Sequence, residues 1–226
     1  MPAETQNSDI ARLKAVAVGV TAFVALLWLI QATVAVTGWD PGPLGLRPRD
    51  PSGLVGILTA PLVHGSWGHL FGNTLALLVL GMAVLYGTPA AGRIGLPLIW
   101  LASGLAVWLF AREGVHVGAS GLTYGMFFFV FLMGILRRDK RSIALSLLVF
   151  FLYGSMVWGV LPTAPGVSFE YHLYGAIAGG LSAFLLRHRD PMPQRRRYDW
   201  EYEDEDEAGN DDLWFDRPDP DSERRF

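Results

Sequence analysis

Residues 117–136 read VGASGLTYGMFFFVFLMGIL. The second half, from Met126 to Leu136, is uncharged and almost wholly apolar, as a lipid-embedded helix requires. The first half places Ser120 between Ala119 and Gly121, with Gly118 and Gly125 close by. A lone serine among glycines ordinarily lets two helices touch, because small residues permit close approach in a membrane. The alternative is a hydroxyl set up for chemistry. The surrounding sequence decides between them.

Working outward, residues 120–136 are one of six apolar runs near the roughly 17–25 residues that cross a bilayer. The others lie at about 15–36, 67–86, 94–111, 142–161 and 170–186. Half of the chain is hydrophobic (51%) and cysteine is absent. The fold class is therefore all-α and polytopic, a six-helix membrane bundle. Disulfides, thiol nucleophiles and cysteine-ligated metals are excluded. The first run exceeds 20 residues, and no small-residue cleavage site with a soluble domain follows it. It reads as a retained helix rather than a signal peptide.

Charge assigns the sides. Residues 1–189 carry 12 basic and 7 acidic groups, whereas residues 190–226 carry 6 and 14. Twelve basic residues fall on one side of the predicted bundle: Arg12, Lys14, Arg93, the Arg137–Arg141 cluster, Arg187, Arg189 and Arg195–Arg197. Only Arg47, Arg49 and Arg112 fall on the other. Basic loops stay cytoplasmic, so both termini are expected there. The expected organisation is a cytoplasmic segment 1–14, a bundle over 15–187 and an acidic, disordered cytoplasmic tail over 188–226. The Pro- and Gly-rich loop 37–63 is partly apolar and is expected to dip into the outer leaflet.

Polar residues inside apolar runs are costly and mark function by default. On this topology the second, fourth and sixth runs all travel from outside to inside. His64, His69 and Asn73 then sit near the start of the second, Ser120 at the start of the fourth and His172 near the start of the sixth. Three distant segments so bring polar groups to one depth. His69 and Asn73 share a helix face, as do Ser120 and Tyr124. Gly121 and Gly125 on the fourth run, and Gly175 and Gly179 on the sixth, form two small faces at the same four-residue spacing. If these faces meet, His172 comes to Ser120, where an imidazole can take the hydroxyl proton and return it to a leaving amine. Tyr124 can stack on that ring. The Ser120 N–H, with the His69 and Asn73 side chains, can face an oxyanion. No carboxylate is placed as a third partner, so a Ser–His dyad is expected. Glu170 precedes His172 by two residues and points elsewhere.

These residues resemble the rhomboid family of intramembrane serine proteases over most of residues 45–180. The carriers are His64-Gly-Ser-Trp-Gly-His69-Leu-Phe-Gly-Asn73, Gly118-Ala119-Ser120-Gly121 with Tyr124, and His172-Leu-Tyr-Gly175-Ala-Ile-Ala-Gly179. The loop segment LRPRDPSGLVGILTAPLVHG also looks like the family's first loop. The resemblance implies Ser120 as nucleophile and His172 as general base and acid. It implies an oxyanion hole from Ser120, His69 and Asn73, and His64 as a framework residue. It also implies hydrolysis of transmembrane protein substrates near their outer ends, in a bacterial plasma membrane, with the site open to the extracytoplasmic side. No metal or cofactor is implied, and no nucleic acid. Two positions depart from the family pattern: Tyr171 stands where a small residue is common, and Phe169 where many relatives have Trp.

Competing readings are weaker. A zinc site of His64, His69 and His172 has no nearby acidic ligand, and its first two members would lie about 140° apart on a helix. A proton-relaying transporter needs polar groups spread across the membrane rather than gathered at one depth. A catalytically silent, client-binding relative would be signalled by loss of the serine or the histidine, and both are present. His116, in the loop before Gly118, reads as solvated or as a local hydrogen-bonder.

Overall fold

The computed structural model describes residues 3–162 and 166–190. The acidic tail from residue 191 onward lies outside the described residues, and everything below belongs to the unit Met1–Pro191. Seven α-helices form among the described residues: α1 (Ala3–Thr37), α2 (Gly56–Thr59), α3 (Trp67–Gly87), α4 (Pro89–Phe110), α5 (Ser120–Arg137), α6 (Lys140–Tyr153) and α7 (Phe169–Leu186). Among the described residues there is no strand, only an isolated bridge between Leu46 and His116. Among the described residues, five segments are long and apolar enough to cross a membrane: residues 6–37, 67–87, 89–110, 120–137 and 140–160. α7, the counterpart of the sixth predicted run, has 18 residues and carries Glu170 and His172 at its start. The protein is an all-α, multi-pass membrane protein.

Punctuation in the sequence explains most boundaries. Ser66 caps α3, its hydroxyl accepting from the His69 N–H at 3.1 Å. Asp139 caps α6 by accepting from the Ser142 N–H at 2.9 Å. Between α5 and α6, Arg138 turns the chain in the left-handed conformation, at φ 56°. Gly38, at φ 66°, ends α1 in the same conformation and donates its N–H to the Val34 carbonyl. Asp190 reaches back to the start of α4, where its carboxylate accepts from the Ala90 and Ala91 N–H groups at 2.8 and 2.9 Å. An anion there satisfies donors that the helix itself cannot. Arg137 donates to the Asp190 carbonyl and so ties α5 to the same point.

Three features differ from the sequence reading. α1 begins at Ala3, well before residue 15, because residues 3–18 hold no glycine or proline and are rich in good helix formers. The 37–63 loop is built from 3-10 turns at Gly42–Leu44, Pro51–Val55 and Ala60–Leu62, with α2 between them. Gly53 and Gly56 allow it to fold on itself, since a Cβ on either would lie 2.4 Å or less from the Arg47 or Leu46 main chain. The fifth run is not one α-helix: α6 ends at Tyr153, and Gly154–Val160 continues as a 3-10 turn.

α5 is the axis of the bundle. Of its apolar window 61% is buried, against 17% for α1 and 11% for the segment 140–160. Phe127, Phe129, Met126 and Met133 fill the core around it. Against α7 there is no room for side chains. A Cβ on Gly175 would lie 2.2 Å from the Gly121 carbonyl oxygen, and one on Gly179 would lie 2.0 Å from that of Gly125. The glycine faces do meet, backbone to backbone.

Candidate active site

The meeting of these faces sets the depth of every polar group around it. Ser120 is the first residue of α5, so its N–H has no partner within the helix. His172 lies in the first turn of α7. Its ring stacks on Tyr124, with centroids 4.0 Å apart and planes 4° from parallel. Its Nδ1 lies 2.9 Å from the Gly159 carbonyl oxygen. Ser120, Tyr124, His172, His69 and Asn73 all line one cavity of about 720 Å³. No hydrogen bond joins the Ser120 hydroxyl to His172 among the described residues. Such bonds are often long in a resting site and shorten when substrate arrives.

The α3 side of the cavity is held by backbone as much as by side chains. Asn73 donates one amide hydrogen to the His69 carbonyl at 3.1 Å and keeps a second to offer. Gly118 stands opposite His69 at φ 109°, and a Cβ there would meet the His69 ring at 2.3 Å. Two separate requirements, conformation and space, therefore select glycine at 118. His64 is buried in the loop before α3. Its Nε2 accepts from the Ala119 N–H at 3.3 Å, and its ring packs edge-on against His69 at 5.1 Å. Burial, with the neighbouring His69 adding to it, lowers the His64 pKa from its ordinary value to about 4. The neutral ring can thus accept, and it holds the residue next to Ser120.

Two polar residues outside the predicted site tie loops together. His116, expected to be solvated or a local hydrogen-bonder, is 5% exposed and is the hydrogen-bonder. Its Nδ1 sits 2.6 Å from the Ser168 hydroxyl, and its Nε2 sits 3.1 Å from the Arg112 carbonyl. Ser168 caps α7 by accepting from the Tyr171 N–H. Glu170 turns to Arg112, at 3.0 Å, and Arg112 also donates to the Val167 carbonyl at 2.6 Å. The loop after α4 is so fastened to the start of α7, immediately before His172. Tyr171 is 1% exposed, and its ring fills the space where a Cβ on Gly121 would stand. No group of three or more His, Cys, Asp or Glu side chains among the described residues could hold a metal ion.

Comparison with known proteins meets this geometry directly. The sequence pattern of the Rhomboid domain matches residues 51–189. The chain belongs to the rhomboid family. It is similar to the uncharacterized protein Rv1337 of Mycobacterium tuberculosis, at 37% identity over 173 residues, covering 73% of this chain and 72% of that one. The uncharacterized protein ML1171 of Mycobacterium leprae is 33% identical over 192 residues, covering 81% and 76%. The Bacillus subtilis protein named "Putative rhomboid protease YdcA" is 26% identical over 200 residues, covering 83% and 94%. The three motifs from His64 to Gly179 fall within the matched span, and the loop segment that begins at Leu46 enters it at Pro51.

Proposed function

We propose that this rhomboid protein is an intramembrane serine endopeptidase acting through Ser120 and His172. One observation carries the reading: Ser120 and a ring-stacked, hydrogen-bonded His172 open onto the same cavity, with His69 and Asn73, at the tip of two glycine-packed helices. In the reaction, His172 Nε2 takes the Ser120 proton as Oγ adds to the substrate carbonyl. The resulting oxyanion faces the Ser120 N–H and the side chains of His69 and Asn73. Collapse breaks the C–N bond, and the imidazolium gives its proton to the leaving amine. Water, activated by the same ring, then frees the acyl group from Ser120. His64 and Gly118 shape the wall, and Gly121, Gly175 and Gly179 set the distance between helices.

The substrates are transmembrane segments of other proteins, reaching the cavity from the bilayer. The asymmetry of basic residues supports cytoplasmic termini and a cavity open to the extracytoplasmic side of a bacterial plasma membrane. The test is cleavage of a reporter transmembrane substrate in liposomes, together with labelling by a fluorophosphonate. Wild type should cleave and label. Ser120→Ala and His172→Ala should lose at least about a thousand-fold in turnover, since removing either member of such a pair disables both. Undiminished cleavage by Ser120→Ala would overturn the proposal.

A further inference from the structure

A serine–histidine pair needs its imidazole in one tautomer, with the proton on Nδ1 and the lone pair of Nε2 toward the serine. In serine proteases with a triad, a carboxylate holds that proton. Here the carboxylate closest in sequence, Glu170, is paired with Arg112. Asp139 is paired with Arg137 at the far end of α5. The ring has a different neighbour. We propose that the main-chain carbonyl of Gly159 is the positioning group for His172, and that the Gly154–Val160 turn thereby sets the base. This rests on the reading of His172 as the base.

Three observations agree. The Gly159 oxygen lies 2.9 Å from Nδ1. A carbonyl can only accept, so Nδ1 carries the hydrogen and Nε2 is left free. The Tyr124 stack removes the remaining freedom of the ring to tilt. Finally, the position must be glycine: a Cβ at 159 would lie 1.8 Å from the Tyr124 hydroxyl and 2.8 Å from its ring carbon. Any side chain would displace either the stacking tyrosine or the carbonyl. Tyr124, His172 and Gly159 thus form a closed set of three contacts contributed by α5, α7 and the turn after α6.

The turn that carries this carbonyl is lightly held. It has no buried residue, and Trp158 is 70% exposed. Its own Met156, with Tyr153 just before it, lines the cavity. A substrate segment entering the cavity therefore touches the piece of chain that orients the base. Seating of this turn and readiness of His172 are one event.

The experiment replaces Val160 by its α-hydroxy acid, which leaves every side chain intact and makes the Gly159 carbonyl an ester, a weaker acceptor. The same replacement at Leu161 is the control, since it alters the same turn but spares Gly159. Tautomer is read by nitrogen NMR of 15N-histidine-labelled protein in micelles on a Ser120→Ala background, with the His172 signal assigned by its loss in His172→Asn. Turnover is read on the Ser120 protein. The expected result is a neutral His172 protonated on Nδ1, a mixture of tautomers in the 160 ester, and no change in the 161 ester. In the 160 ester kcat should fall about tenfold, the worth of one hydrogen bond, with KM unchanged. If the 160 ester does not fold, Gly159→Ala takes its place and should show the same mixture. A Nδ1-bare His172 in the parent, or identical tautomers in parent and 160 ester, would overturn the proposal. Because the tautomer is measured without Ser120, a protein that shows the expected shift yet cleaves nothing would sink the protease reading and leave the positioning role standing.

Discussion

The α5–α7 seam and the segment from Lys140 to Val160 border the same cavity and are held by opposite means. In the seam, glycines put main chain against main chain, and a single methyl group would collide. The second segment is tightest at its beginning. There Ser142, Ser146 and Val149 are buried, the Ser146 hydroxyl donates to the Phe131 carbonyl at 2.9 Å, and Gly134 admits the Ser146 Cβ. Past Val149 most side chains turn outward, with Phe151 86% exposed, while Tyr153 and Met156 stay against the core and Tyr153 donates to the Leu75 carbonyl at 3.3 Å. One wall is fixed along its length, and the other is packed at its beginning and held beyond it by a few single contacts. Close packing resists deformation, whereas a segment with few buried contacts opens at low cost. The proposed function, which holds Ser120 still while a substrate segment enters, has use for both.

The contrast can be broken from its rigid side. Gly179→Val should have the largest effect: its side chain would be forced onto the Gly125 carbonyl, costing about 3 kcal/mol, and both fluorophosphonate labelling and thermal stability in detergent should collapse. Tyr124→Ala removes the stack but leaves the seam, so stability should change little while turnover drops about tenfold. A smaller effect belongs to His64. Its folded pKa is depressed to about 4, so the unfolded chain takes up the proton first as pH falls below about 6.5. The stability it contributes is therefore complete above that pH and lost progressively toward about 4. Wild type should lose melting temperature between pH 7 and 5 more steeply than His64→Gln, which accepts from Ala119 without titrating; parallel curves would remove His64 from the account. The smallest effect tests the loose side. Phe151→Ala should shift stability by under about 0.5 kcal/mol and leave labelling intact. If it destabilises as much as Gly179→Val, the two walls are not held differently.

Much of the rigid side was legible in the sequence because it is written in side chains at helical spacing. Gly121 and Gly125, Gly175 and Gly179, and the i, i+4 pair Ser120 and Tyr124 all follow from a 3.6-residue repeat. The loose side was not legible. The end of α6 at Tyr153 depends on a local change of hydrogen bonding inside an unbroken apolar run. The Gly159 oxygen is a main-chain atom, and no residue type announces it. His116 stayed open between a solvated ring and a local hydrogen-bonder for a related reason: beside the nearby Arg112, its partners Ser168 and Leu46 lie 52 and 70 positions away, on segments that only the folded chain brings together. Arg112 and Glu170 read as a loop cation and a stray acid until the fold made them a pair.

The return of Asp190 to the head of α4 bears on where this chain can be cut. A shortened protein that stops after Asp190 keeps an anion over the Ala90 and Ala91 donors and keeps the tie to Arg137. One that stops a residue earlier leaves that helix end without its acceptor. For anyone trimming the tail to obtain crystals, Asp190 is a residue to keep, since it holds the head of α4 and the end of α5 together.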